Sequence, residues 1–442
     1  MLRAFFRFVL RLFFRRIEVE GTERVPLQGP VIFVVNHPNA LVDPLFLLCF
    51  APRPIFFLAK APLFRMPVIG AVVRAFGSIP VYRRQDSFSD VAKNRETFER
   101  ASALLCRGGS LAIFPEGVSH DEPRLMRLKT GAARIALGAS SQSGAPLEIV
   151  PAGLYYTWKR TFRSSALLSF GNPIPVAPID LGADGQLPPD EVRRLTTTIE
   201  AALREQTIQY ETREAADLVR RAERVFSIDA DADGEPLSRQ VELHRRFVEG
   251  YRRLSERNPA RLEEMRSRLA RFEAERRQAH LRLEHLTPRA LDRHEAASLL
   301  ARSLADLVWA PLGAAGIVIH YPAYRLVGKV AGLVAKDEVD VLATAKIIGA
   351  MLLFPLTWLL AAWGALRLFG PWAAAAALVL LPLSGYAALL FAERFDDVAG
   401  RARAWLSLVF SARAVQRLLA ERRSIRDEMI RVADELEVGS RS

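Results

Sequence analysis

His37 and Asp43 are the residues of this chain best suited by type and spacing to do chemistry. They lie in Val31–Asp43, VIFVVNHPNALVD, whose apolar start, Val31 to Val35, reads as a strand buried on both faces. Asn36-His37-Pro38-Asn39 then halts the strand and can start a helix. A histidine at a strand end with a carboxylate six positions on suits general-base work. Imidazole is the one side chain that ordinarily titrates near neutrality, and a carboxylate on its far nitrogen fixes the tautomer. The same residues fit a plainer arrangement, a strand-end histidine capping a helix beside a surface aspartate.

Further clusters carry polar groups at strand ends. Gly77–Arg84, GSIPVYRR, closes on Arg83 and Arg84. Guanidinium suits bidentate phosphate recognition, although a solvated pair fits these residues equally. Ala112–Asp121, AIFPEGVSHD, places Glu116 and Gly117 directly after a buried strand, where a carboxylate beside a flexible glycine suits a binding loop. Lys129-Thr130-Gly131 opens a helix whose first amides can add to an anion site. Ile149–Leu154, IVPAGL, is a strand with a proline, as at an edge or a pocket wall. Ser119-His120-Asp121 is no hydrolase relay, because consecutive side chains project in different directions, and no GxSxG elbow occurs. Asp229, Asp231, Asp233 and Gly234 begin like a calcium loop, but Gln240 stands at its twelfth position and Pro236 where an aliphatic side chain belongs. No metal-ligand spacing appears elsewhere.

The elements that must position these groups follow an α/β pattern. Strands are expected at Val31–Val35, Pro54–Leu58, Ser78–Tyr82, Leu111–Phe114, Glu148–Leu154 and Ala166–Phe170. Helices are expected at Leu41–Cys49, Leu63–Phe76, Ser87–Cys106 and Thr130–Ala139. Such alternation predicts a mixed sheet flanked by helices over residues 17–204, with polar chemistry gathered at the strand ends. Residues 205–304 turn to Arg, Glu, Leu and Ala, and Leu262, Met265, Leu269 and Phe272 step like the seam of a helical hairpin.

The chain has 442 residues, half of them hydrophobic, and a formal net charge of +12. That excess favours an anionic partner, nucleic acid or an acidic membrane surface. Residues 1–16, MLRAFFRFVLRLFFRR, favour the membrane: Arg3, Arg7, Arg11 and Arg15 form a basic stripe among phenylalanines, as in an interfacial helix. Residues 305–395 are expected to form a membrane region with spans near 347–366 and 372–392, joined by a short turn as a transmembrane helical hairpin, although a buried hairpin of a soluble domain fits the same residues. Lys346, Arg394, Arg401 and Arg403 flank its outer ends, which puts the bulk of the protein on the cytoplasmic side. Residues 396–442 read as a polar helical tail. Cys49 and Cys106 make neither a disulfide framework nor a zinc pattern.

Taken in order, NHPNALVD, GSIPVYR, FPEG and IVPAGL resemble the four blocks of the glycerolipid acyltransferase family, which contains glycerol-3-phosphate and lysophosphatidic acid acyltransferases. The match covers roughly residues 20–200. The first block is one residue longer than the family's usual box. With FPEGVSHD, LKTG and the C-terminal membrane region, it looks like the fungal glycerol-3-phosphate/dihydroxyacetone-phosphate subgroup. The resemblance implies transfer of a fatty acyl group from an acyl thioester to the sn-1 hydroxyl of glycerol 3-phosphate in phospholipid synthesis. His37 would be the base and Asp43 would orient it, provided that the loop before the helix absorbs the extra residue. Asn36, Arg83, Glu116, Gly117, Ser119 and Lys129 would bind substrate, with Arg83 on the acceptor phosphate. It implies no cofactor and no metal; acyl-CoA or an acyl carrier protein enters as co-substrate. The expected partners are that donor, a glycerol-phosphate acceptor and an anionic phospholipid membrane, with no nucleic acid. The Ala- and Arg-rich composition makes a bacterial inner membrane the expected setting. Acylation of a lysophospholipid, or a non-catalytic lipid-binding scaffold, are the alternatives.

Overall fold

The computed structural model describes residues 2–82, 94–159, 161–182, 186–227, 235–279, 281, 283, 286, 310–335 and 342–438. Arg83, Arg84 and the acidic stretch Asp229–Gly234 lie outside them. The chain divides into two compact units, Met1–Gln209 with Ala335–Ile347, and Tyr210–Val334 with Ile348–Ser442.

The first unit is built on a β-branched run. Val31–Val35 forms β2, buried at every position because both faces of the sheet are covered. Around it lie β1 (Arg16–Glu20), β3 (Phe56–Lys60), β4 (Ile79–Val81), β5 (Ser110–Ile113), β6 (Leu147–Tyr156), β7 (Ser165–Phe170) and β8 (Ile174–Val176). The order is β1-β7-β6-β2-β5-β3-β4, with β8 beside β6. β6 runs antiparallel to β7 and β8, and β2 runs parallel to β5 and β6, so the sheet is mixed as the alternation predicts. β1 and β8 were not expected. β1 reads RIEVE, too charged and too short to register as a buried strand, and it lies at an edge.

One face of the sheet, through Ile32, Val34, Ile113 and Ile149, packs on α4 (Asn94–Cys106), α5 (Gly131–Ser143) and α6 (Pro189–Gln206). The other carries an aromatic cluster. Phe14 stands 5.2 Å from Phe46 of α2 (Val42–Phe50) and 5.5 Å from Tyr156, and Phe33 meets Phe170 at 5.8 Å. The helix expected over 63–76 is a short 3₁₀ turn, Ala61–Arg65, followed by α3 (Pro67–Ala75), because Pro67 is best placed in the first turn of a helix.

The N-terminal helix α1 (Leu2–Phe13) buries Phe6, Leu10 and Phe13 and leaves Phe5 and Phe8 exposed. Arg3 and Arg7 turn inward: both donate to Cys49 O, and Arg3 also to Ala51 O. These are carbonyls at the C-terminal end of α2, which attract cations. Arg11 and Arg15 remain exposed.

The second unit is helical. Its elements are α7 (Arg213–Ser227), α8 (Leu237–Arg257), α9 (Pro259–Gln278), α10 (Ala310–Ala335), most of α11 (Leu342–Phe369) and α12 (Pro371–Val438). Leu269 and Phe272 of the expected seam pack with Val225, Leu418, Leu419 and Ile425. Leu262 and Met265 continue it against Leu254 and Val432. Arg261 pairs with Glu428 at 2.7 Å and Arg268 with Glu421 at 2.7 Å, fixing α9 on the end of α12. Two stretches, Leu342–Phe369 and Pro371–Glu393, are long and apolar enough to cross a membrane. Gly370, at φ +90°, supplies the left-handed residue that ends the first of them.

Candidate active site

The site forms where β2 ends. Asn36 cannot continue the strand, and its carboxamide instead grips the neighbouring strand: Nδ2 donates to Leu154 O at 3.1 Å and Oδ1 accepts the Leu154 N–H at 2.7 Å. His37 is therefore delivered at a fixed point above the sheet. Its N–H donates to Glu116 Oε1 at 3.0 Å, and its carbonyl accepts the His120 N–H at 3.2 Å. Its ring stacks on Phe114, centroids 4.1 Å apart and planes 18° from parallel.

In the loop between His37 and α2, Ala40 takes a positive φ of 35°. That turn lets α2 start at Val42 with Asp43 aimed back at the histidine. Asp43 Oδ2 lies 2.8 Å from His37 Nδ1 and accepts the Asn39 N–H at 2.7 Å; Oδ1 accepts the Tyr156 hydroxyl at 2.7 Å. Asp43 is wholly buried, so these donors replace the water it loses. A carboxylate only accepts, so Nδ1 carries the ring proton and Nε2 presents a lone pair. Tyr156 is buried, and burial, followed by the charge of Asp43, pushes its phenol well above the usual range, so it stays a donor.

The FPEG segment braces this arrangement. Phe114 to Gly117 closes a turn, Gly117 N–H donating to Phe114 O at 3.0 Å. Gly117 adopts φ +76°, a backbone conformation that favours glycine, and a Cβ there would come within 2.5 Å of Lys129 Nζ, a flexible chain end that can move aside. Lys129 is exposed, and its backbone N–H donates to Pro115 O at 2.8 Å. The Glu116 carboxylate is buried and occupied by protein donors: His37 N–H, Met126 N–H at 2.9 Å, and the His120 ring through Nε2. His120 Nδ1 accepts the Glu122 N–H at 3.1 Å, which fixes its proton on Nε2. Asp121 pairs instead with Lys159 at 3.0 Å, away from His120.

The structure thus brings His37, Asp43, Asn36, Glu116 and Gly117 together, with Lys129 alongside. Ser119 lies half-buried on the same segment. Arg83 follows β4 and is outside the described residues. The polar atoms of Asn36 and Glu116, expected on substrate, are spent on the backbone of Leu154 and His37. Chemically the site offers an oriented imidazole whose second nitrogen, with no hydrogen-bond partner among the described residues, can take a proton from a hydroxyl.

Residues 16–155 match the Acyltransferase family, and residues 219–438 match the Glycerol-3-phosphate acyltransferase 2 C-terminal domain. The chain thus carries an acyltransferase domain followed by a glycerol-3-phosphate acyltransferase 2 C-terminal domain. Glycerol-3-phosphate O-acyltransferase 1 of Saccharomyces cerevisiae is 25% identical over 96% of this chain and 69% of its own length. Glycerol-3-phosphate O-acyltransferase 2 of the same yeast is 27% identical over 61% of this chain and 38% of its own. A chloroplastic 1-acyl-sn-glycerol-3-phosphate acyltransferase of Arabidopsis thaliana is 30% identical over 38% of this chain and 47% of its own. The chain therefore spans less than half the length of the last two. In this acyltransferase, Tyr156 and His120 are contributors that sequence reasoning missed. Tyr156 ends a strand as an ordinary aromatic. His120 stands four positions from Glu116, the spacing of their hydrogen bond, which was the available signal.

Proposed function

We propose that the protein is a membrane-bound O-acyltransferase that moves a fatty acyl group from acyl-CoA to the sn-1 hydroxyl of glycerol 3-phosphate. The observation that carries this reading is the 2.8 Å contact between His37 Nδ1 and Asp43 Oδ2, with no partner on Nε2 among the described residues. An alcohol is a poor nucleophile, so a base must take its proton as it attacks. His37 Nε2 accepts the hydroxyl proton, the oxygen bonds to the thioester carbonyl carbon, and the C–S bond breaks as the imidazolium returns the proton to the departing thiolate. Asp43 holds the ring and stabilises its charge meanwhile. Arg83 binds the acceptor phosphate, and Lys129 is a second cation for it.

Support for glycerol 3-phosphate as acceptor comes from coverage. The first yeast relative aligns with both halves of the chain, whereas the Arabidopsis relative aligns with 38% of it. A second reading, acylation of 1-acyl-glycerol 3-phosphate, rests on that 30% identity. The two apolar helices span the bilayer, and the exposed Phe5 and Phe8 of α1 lie in the anionic interface of its cytoplasmic face, that of a bacterial inner membrane. Thiol release from acyl-CoA by the purified protein tests the reading, with glycerol 3-phosphate, dihydroxyacetone phosphate and 1-acyl-glycerol 3-phosphate offered in turn. Highest kcat/KM with glycerol 3-phosphate is expected. A preference for the lysophospholipid would favour the second reading, and no release with any acceptor would leave a lipid-binding scaffold.

A further inference from the structure

The loop between His37 and α2 is tied to α2 by the Asn39 N–H on Asp43 at 2.7 Å and by the Val42 N–H on the Asn39 carbonyl at 2.9 Å. Ala40 sits at φ +35°, and the buried carboxamide of Asn39 finds no partner for either polar atom among the described residues. Each unpaired buried group costs free energy, so the loop is not in its lowest-energy arrangement by itself. Its end, Leu41, is the first residue of backbone before α2 and belongs to the set whose N–H groups have no partner within the helix. That N–H donates to Thr344 Oγ1 at 3.2 Å.

Thr344 lies 303 positions away, on the first turn of α11. That turn belongs to the acyltransferase unit, which takes in Ala335–Ile347. It is not a passing surface contact: Ala343, Thr344 and Ile347 are each under a tenth exposed. A threonine hydroxyl can accept while donating elsewhere, so one residue supplies the acceptor that the loop itself lacks. The same backbone leads, two residues on, to Asp43 and its 2.8 Å contact with His37.

We propose that Thr344 is a positioning residue of the acyl-transfer site: through Leu41 it holds the start of α2, and hence Asp43 and the His37 ring, in productive register. The inference rests on the reading of His37 as the base. It makes the first turn of the first apolar helix part of the catalytic machinery, in addition to any anchoring that helix provides.

The test uses the full chain reconstituted in phospholipid vesicles, with thiol release followed as glycerol 3-phosphate and acyl-CoA are each varied while the other is saturating. Thr344→Val keeps the shape and removes the acceptor. Thr344→Ala removes it while favouring the helix, and Thr344→Ser retains it. Both the Val and Ala variants should lose about tenfold in kcat, with KM for either substrate within about twofold. The Ser variant should stay within about twofold of the parent kcat, and a merely structural role would not separate kcat from KM in this way. The inference is overturned if Val and Ala keep the parent kcat, if only KM moves, or if Ser falls as far as Val. His37→Ala, assayed alongside, separates the two levels: if it stays active, the underlying reading fails. If it is inactive while Thr344→Val is normal, only the role of Thr344 fails.

Discussion

Tyr156 donates its hydroxyl to Asp43 Oδ1 at 2.7 Å, on the opposite side of the carboxylate from His37. The strand that ends at Leu154–Tyr156 therefore fixes both residues flanking the turn, Asn36 through its carboxamide and Asp43 through the phenol. Removing that hydroxyl in Tyr156→Phe leaves the ring in place and deprives a buried carboxylate of one donor. A hydrogen bond to a charged group is worth about 1.5–3 kcal/mol, part of which is lost through misorientation of Asp43. We expect kcat to fall about tenfold with both KM values little changed. Steady-state kinetics check this, and an unchanged kcat would remove Tyr156 from the account.

Glu116 separates two roles for the FPEG segment. If it met the acceptor, its removal would raise the acceptor KM. Its oxygens are instead taken by the His37 N–H, the Met126 N–H and His120. Glu116→Gln turns one of these acceptors into a donor that faces another donor. The expected result is a fall of about ten- to a hundredfold in kcat, with glycerol 3-phosphate KM within about twofold. A large KM increase at normal kcat would return Glu116 to acceptor binding.

The helical unit offers a test by pH. Tyr210 donates to His244, whose other ring nitrogen meets Glu223, joining the start of α7 to α8. Burial pushes the Tyr210 phenol from 10.0 up to about 12. A group whose folded pKa is raised stabilises fully below the unfolded value and loses that contribution as pH climbs toward the folded one. The window is therefore about pH 10 to 12. Between pH 8 and 11 the parent should lose about 1.4 kcal/mol relative to Tyr210→Phe. Denaturation midpoints of both proteins at the two pH values measure it, and a constant gap would contradict it.

Local pattern made some of this legible and left the rest hidden. Val31–Val35 and its turn were readable because five β-branched or aromatic residues followed by Asn-His-Pro-Asn have few other uses. β1 and β8 escaped because edge strands need neither length nor apolarity. The basic stripe on α1 was readable as a stripe, but periodicity does not say what it faces. Arg3 and Arg7 face the end of α2 rather than lipid phosphate. At the site, His37 and Asp43 stood out because both lie in one short segment. Tyr156 and Thr344 did not, since their partners are 113 and 303 positions away and nothing local marks them. Glu116 was visible as a residue with a role, but the donors that occupy it, two backbone N–H groups and a histidine ring, come from three separate places in the chain and are a property of the fold alone.

His37, held through Nδ1 by Asp43, is the base that we propose for acyl transfer. Thiol release from acyl-CoA with glycerol 3-phosphate, compared between the parent and His37→Ala at equal membrane incorporation, tests it most directly. General-base catalysis contributes about 10²–10⁴ in rate, so the variant should lose at least about a hundredfold in kcat while still entering vesicles. Near-normal turnover by His37→Ala would contradict the account.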